Sequence, residues 1–215
     1  MSGMRSEPLD PRTVPAPPPR WLAGCRAGEP EAVTRMFEEY LPVLERVLGR
    51  IVGPGADLED LTQITFIETL RALPRFRGDA SFKTWITSIA VHVAQHHLRA
   101  GKYRRTVALE LVPEARLDDG AIAPEERIDE RRMARRLYDL LDRISPLKRV
   151  ALLLFAVEGR PVEEVAALTG ASSTATRSRV FFARRELRAL IAADAELTEL
   201  AASLLSGRPN EDQEP

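Results

Sequence analysis

Two clusters of cations dominate the chemistry open to this chain. Arg99, Lys102, Arg104 and Arg105 lie together with no acid among them, and Arg177, Arg179, Arg184, Arg185 and Arg188 share their segment with Glu186 alone. Clustered guanidinium and ammonium groups neutralise phosphates and release the counterions condensed on nucleic acid, a large source of affinity for it. The net charge of −1 does not oppose this, because the acids gather elsewhere, at Asp57 to Asp60, from Glu110 to Glu130 and after Glu196. Covalent chemistry has no comparable residue set: there is no glycine loop of the kind that cradles nucleotide phosphates and no nucleophile paired with a base. No enzyme is expected. His92 and His96 stand four residues apart, with His97 adjacent, a spacing that suits zinc. A zinc site needs three or four ligands, and without a third nearby the pair reads as solvated or DNA-facing, with no metal or other cofactor. The single cysteine, Cys25, excludes an internal disulfide and fits a reducing compartment.

The elements that must carry these clusters are helical. Residues 1–20 hold Pro8, Pro11, Pro15, Pro17, Pro18 and Pro19 with few apolar anchors, the composition of a disordered arm. From Trp21 to Val52, Val33, Phe37, Tyr40, Leu41, Leu44, Val47, Leu48 and Ile51 recur at helical spacing until the glycines flanking Pro54. Asp57 is placed to cap the next helix, whose stripe of Leu58, Leu61, Ile64, Thr65, Ile67 and Leu70 ends at Pro74. Asp79 or Ser81 starts a third, which runs through Trp85, Ile86, Ile89, Ala90, Val93 and Leu98. Residues 107–128 lose the period and gain acids, Pro113, Gly120 and Pro124, as a linker does. Helical sequence resumes near Asp129. Ser145 with Pro146 starts one helix and Gly159 ends it; Pro161 opens a short one that Gly170 closes; Ser172 or Ser173 caps a longer one reaching about Ala193. The expected fold is therefore all-α: two small helical domains, 21–106 and 129–193, joined by a flexible acidic linker, the second a four-helix domain with a helix-turn-helix. An acidic tail, 194–215, follows. No apolar run long enough to span a bilayer and no signal peptide is present, so the cytoplasm is expected.

Both halves resemble one family. DLEDLTQITFIETLRALPRFRGDASFKTWITSIAVHVAQHHLRAGKYRR, Asp57 to Arg105, resembles region two of bacterial sigma factors, in particular the small extracytoplasmic-function group. The segment Leu137 to Ile191, containing SPLKRVALLLFAVEGRPVEEVAALTGASSTATRSRVFFARREL, resembles region four of the same family. The resemblance implies a sigma factor that binds core RNA polymerase and promoter DNA, handles no small-molecule substrate and, as in many relatives, is held by an anti-sigma protein. By it, Asp57, Glu59, Asp60, Gln63 and Phe66 dock on the polymerase. Arg75, Phe76, Arg77 and Asp79 form the loop that recognises and opens the minus-ten element, joined by His92 and His96, with Arg99, Lys102, Arg104 and Arg105 on the DNA backbone. Phe82 and Trp85 are core by their spacing with Ile86 and Ile89. In the helix-turn-helix, Ser173, Thr174, Thr176, Arg177 and Arg179 meet the minus-thirty-five element in the major groove and Arg184 meets phosphate, while Val180, Leu187 and Leu190 face the domain and one of Phe181 and Phe182 is core. Many relatives carry Asn at the position of His92 and a smaller polar residue at that of His96, which puts the minus-ten preference in question. A stand-alone DNA-binding regulator and an interaction adaptor are the competing classes; the first leaves the loop FRGDASFKTW unexplained, and the second predicts activity that survives loss of Arg177 and Arg179.

Overall fold

A computed structural model describes residues 19–53, 56, 58–107 and 125–199, and every regular element among them is helical. Most of the proline-rich arm, most of the acidic linker and the tail beyond residue 199 lie outside the described residues. The helices are α1 (Leu22–Ala27), α2 (Pro30–Val52), α3 (Leu58–Ala72), α4 (Phe82–Val107), α5 (Glu125–Leu141), α6 (Pro146–Ala156), α7 (Val162–Thr169) and α8 (Ser173–Ala192).

Local sequence explains where they begin and end. The first expected helix is split in two, because Gly28 takes the left-handed conformation at φ 78° and Pro30 then supplies the first turn of α2. A 3-10 turn at Leu73–Arg75 carries the chain past Pro74. Ser81, rather than Asp79, starts α4: its Oγ accepts the Thr84 N–H at 3.1 Å. Helix α4 then continues well beyond Leu98. In the second half Pro146 occupies the first turn of α6, Gly170 closes α7 in the left-handed conformation, and the Ser172 hydroxyl caps α8 by accepting the Ala175 N–H.

The first half is built on α2 and α4, which pack on each other and on α3 around Met36, Leu44, Leu48, Phe66, Ile86 and Ala90, while Leu41 of the expected α2 stripe is exposed beside the buried Tyr40. Its inner α3 face differs from the expected stripe. Leu61, Thr62, Thr65, Phe66 and Thr69 point inward, while Ile64 and Ile67 are exposed. Threonine is tolerated there because the hydroxyls of Thr65 and Thr69 each bond the carbonyl four residues back at 2.7 Å, leaving their methyl groups to pack. In the second half α6 and α8 pack together, with α5 and α7 against α8. The halves also touch: α6 and α7 lie on α4, α6 reaches α2, and Val150, Leu154, Leu168 and Val180 belong to the same apolar cluster as Ile86 and Ala94.

Candidate nucleic-acid and partner interface

The loop between α3 and α4 is held by an aromatic cluster. Phe76, Phe82 and Trp85 meet with ring centroids 4.8–5.4 Å apart, and Trp21 and Tyr40 close the cluster over Phe82. Arg26 donates to the Phe76 carbonyl at 2.5 Å. Phe82 is core, as its spacing predicts, and Trp85 is half-buried. Phe76 is buried too, so it anchors the loop instead of presenting its ring to a base. Arg75, Arg77 and Asp79 are left exposed around it. Gly78, at φ 85°, supplies the left-handed turn between Arg77 and Asp79. Burial pushes the Tyr40 hydroxyl up to about 12, with Glu39 adding to the effect, so it stays protonated beneath the loop.

Helix α3 offers Glu59, Asp60 and Gln63 to solvent, with Gln63 within hydrogen-bond reach of Glu59 at 3.2 Å. Asp57 lies outside the described residues. Phe66 is 1% exposed and stacks on Phe37 with centroids 3.8 Å apart, which makes it a packing residue and not a contact. The apolar surface beside the acids comes instead from Ile64 and Ile67. An open cleft of about 590 Å³ separates α3 from α4, walled by Leu61, Ile64 and Glu68 on one side and by His92, Val93 and His96 on the other. His92 donates through Nδ1 to the Ser88 carbonyl at 2.6 Å, which leaves Nε2 directed away from its own helix. Both histidines are exposed, and among the described residues no three His, Cys, Asp or Glu groups are arranged to hold a metal ion. Arg99 is exposed on the same helix; Lys102, Arg104 and Arg105 continue its backbone, and their side chains lie outside the described residues.

In the helix-turn-helix, Thr174 and Arg177 are exposed, Ser173 and Arg179 are half-buried, and Arg177 pairs with Glu163 of α7 at 2.9 Å. Thr176 is fully buried, its hydroxyl bonded to the Ser172 carbonyl at 3.0 Å, so it lies on the packed side of α8 and not on the face open to DNA. One Arg179 nitrogen, Nη1, is shut from solvent with no hydrogen-bond partner among the described residues. Arg184 lies over the Phe155 ring at 4.9 Å, an attraction between cation and π-face. Val180 is buried and Leu187 and Leu190 are half-buried, as expected. Phe181 and Phe182 are both exposed, at 62% and 46%, so neither is core; Ala183 fills the inward position.

Sequence reasoning missed Arg149, a residue 1% exposed that joins the two halves. Its Nε and Nη2 donate to the carbonyls of Ile51 and Val52 at 2.9 and 2.7 Å, and Nη1 pairs with Asp142. Tyr138 donates to the Arg50 carbonyl at 2.7 Å. Burial raises the Tyr138 pKa, against the pull of Arg149 and Arg50, so the hydroxyl remains a donor. Arg50 in turn pairs with Glu158. The sequence shows only a Lys148–Arg149 pair at the head of the apolar run that begins at Val150, which does not single out Arg149.

The comparisons with known proteins agree on both halves. The family model for sigma-70 region 2 matches residues 36–104, and that for sigma-70 region 4 matches residues 134–187. The RNA polymerase sigma factor CarQ of Myxococcus xanthus is 32% identical over 166 residues, covering 77% of this chain and 92% of that protein. The ECF RNA polymerase sigma-E factor of Escherichia coli K12 is 27% identical over 74% of this chain and 86% of its own. Among solved structures, CnrH in complex with the cytosolic domain of CnrY has a similar fold, with a TM-score of 0.55 at 22% identity over 81% of this chain and 97% of that one. The sigma factor RpoE of Bartonella quintana, solved with the anti-sigma factor NepR, gives 0.53 at 20% identity over 75% and 97%.

Proposed function

The chain belongs to the sigma-70 family, in its extracytoplasmic-function group, and from that premise we propose how its two halves divide the work of a sigma factor. The protein directs promoter-specific initiation of transcription. Its first domain, near residues 21–106, docks on core RNA polymerase and recognises and opens the minus-ten element; its second, near 129–193, reads the minus-thirty-five element. It acts in the cytoplasm, carries out no covalent step itself and leaves catalysis to the polymerase.

The observation that carries this reading is the opposite character of two exposed helix faces. On α3, Glu59, Asp60 and Gln63 stand beside exposed Ile64 and Ile67, an acidic and apolar surface suited to a cationic protein partner. On α8, Thr174, Arg177, Arg179 and Arg184 form a polar and cationic surface suited to base edges and phosphate. Between them, Arg75, Arg77 and Asp79 sit on a loop whose backbone is braced by Phe76, as a pocket for an unstacked base requires. His92, His96 and Arg99 extend that surface along α4, and Arg104 and Arg105 follow on the same helix. An anti-sigma protein is the expected regulator, by analogy with the similar folds solved with the cytosolic domain of CnrY and with NepR.

The test is transcription by purified core polymerase of the source organism on a pool of its upstream DNA, with and without the protein. New discrete transcripts sharing two upstream elements are expected. DNA binding by the isolated protein, with no transcripts added to the polymerase's own, would count against the reading.

A further inference from the structure

The loop between α3 and α4 is fixed at its base and open at its tip. A Cβ on Gly78 would meet nothing within 4 Å, so no packing against that residue sets the tip. Its conformation depends on Phe76, which is held at three points. The ring lies between Phe82 and Trp85, the N–H donates to the Leu73 carbonyl at 3.1 Å, and the carbonyl accepts Arg26 Nη2 at 2.5 Å. The first two contacts are made by the loop's own neighbours. The third comes from α1, 50 residues earlier in the chain.

Helix α1 has six residues, too few for a helix that is stable alone, so tertiary contacts set the direction of Arg26. Leu22 and Cys25 are buried, Trp21 stands edge-on to Phe82 and Tyr40, and Trp21 Nε1 donates to Glu39 at 2.8 Å. Gly24 allows a close approach to α2, since a Cβ there would stand 2.7 Å from that of Ala32. An arginine in the last turn of a helix is ordinarily a solvated cation facing the negative end of the dipole. Here no carboxylate among the described residues pairs with Arg26, and the guanidinium bonds the loop's backbone instead. The Phe76–Arg77 peptide is trans, so its carbonyl and the Arg77 N–H point in opposite directions. Pinning the carbonyl toward α1 turns the Arg77 N–H away from it, and that N–H has no partner among the described residues.

We propose that Arg26 is a positioning residue for the opening of the minus-ten element. It touches no base. It holds the Phe76–Arg77 peptide in the orientation that presents the Arg77 N–H, with the exposed side chains of Arg75, Arg77 and Asp79, to an unstacked base. The proposal rests on the reading of the protein as a sigma factor whose α3–α4 loop takes that base. It adds α1 to the promoter-opening apparatus, although α1 precedes the segment 36–104 that matches the region 2 model. Without the bond the peptide is free to turn, and only the fraction of molecules with the competent orientation binds the base.

The experiment uses holoenzyme assembled from core polymerase and the full-length chain as wild type, Arg26→Met or Arg26→Lys. One probe is a single-stranded oligonucleotide with the non-template minus-ten sequence of a promoter that the wild type transcribes; the other is a duplex with its minus-thirty-five element alone. Fluorescence anisotropy reads binding across a salt series, and circular dichroism reads folding. If the competent orientation falls to one molecule in ten, Arg26→Met weakens oligonucleotide binding ~10-fold, with duplex binding, core affinity and melting temperature close to wild type. Arg26→Lys keeps a charged donor and is expected to restore part of that loss. Unchanged oligonucleotide binding by Arg26→Met, a parallel loss on both DNAs, or no restoration by Lys overturns the proposal. So does a fall of about 0.7 in the slope of log affinity against log salt, the mark of a lost phosphate contact to a single strand. If Arg26→Met does not fold, Arg26→Gln, whose stem is too short to reach the carbonyl, takes its place. Absence of specific transcripts with wild-type holoenzyme sinks the sigma reading, whereas a failed Arg26 assignment leaves those transcripts intact.

Discussion

Helices α3 and α8 solve the same problem with opposite surfaces. Each turns threonine and small residues inward, Thr62, Thr65 and Thr69 on α3 and Thr176 and Ala183 on α8, and leaves large apolar side chains outside, Ile64 and Ile67 on the first and Phe181 and Phe182 on the second. An ordinary amphipathic helix does the reverse. What separates them is the charge around those exposed groups, acidic at the start of α3 and cationic along α8. On the proposed function, both exposed apolar groups belong to interfaces, and the sign of the neighbouring charge decides which partner each accepts.

The sharpest way to break the comparison is at the aromatic residue that α3 buries. Phe66→Ala removes a ring stacked on Phe37 and is expected to cost about 3–5 kcal/mol of stability in denaturant unfolding, with polymerase binding lost only as far as folding is lost. A stable Phe66→Ala protein that cannot bind polymerase would restore Phe66 as a contact. On α8 the expected pattern is reversed. Replacing Arg177 and Arg179 together by Ala removes two base-reading or phosphate-reading cations at about 1–3 kcal/mol each, so holoenzyme affinity for the promoter drops while the melting curve stays close to wild type. Retained promoter discrimination in that double variant would remove α8 from the reading surface.

Smaller effects refine the contrast. Charge reversal at Asp60 is expected to weaken core-polymerase affinity by about 1 kcal/mol, the scale of a rim ion pair, and to do so less at high salt. Equal affinity at every salt concentration would separate α3 acidity from docking. Past the end of α8, Asp194 is held below the usual carboxylate range by Arg136 and by the Leu197 N–H. Because the folded pKa is the lower one, its contribution is full above about pH 4 and disappears as pH falls through the folded value. Asp194→Asn should therefore lower the melting temperature slightly at pH 7 and bring the two proteins together in acid; a gap that persists at low pH would assign the effect to something other than the carboxylate.

Much of the architecture was written in short-range signals. Gly170 and Ser172 set the turn of the helix-turn-helix, and Ser145 with Pro146 set the start of α6, because caps and prolines act on their own neighbours. The face of α3 was not legible in the same way. Isoleucine is more apolar than threonine, so periodicity favoured Ile64 and Ile67 for the core, and only the backbone bonds of Thr65 and Thr69 reverse that preference. Phe66, Phe76 and Thr176 carried family expectations onto positions that packing occupies. Arg149 was beyond reach for a different reason: the carbonyls it bonds lie 97 and 98 residues earlier, and no local pattern encodes such a pair.

That separation in sequence is also a separation in time. Chains are synthesised from the N-terminus at about 5–20 residues per second, so the α2 carbonyls wait roughly 5–20 s for Arg149 to be made. During that interval those carbonyls have only water or their own part of the chain to meet them. Val150, Leu154, Leu168 and Val180, which complete the apolar cluster around Ile86 and Ala94, are likewise made after the first half.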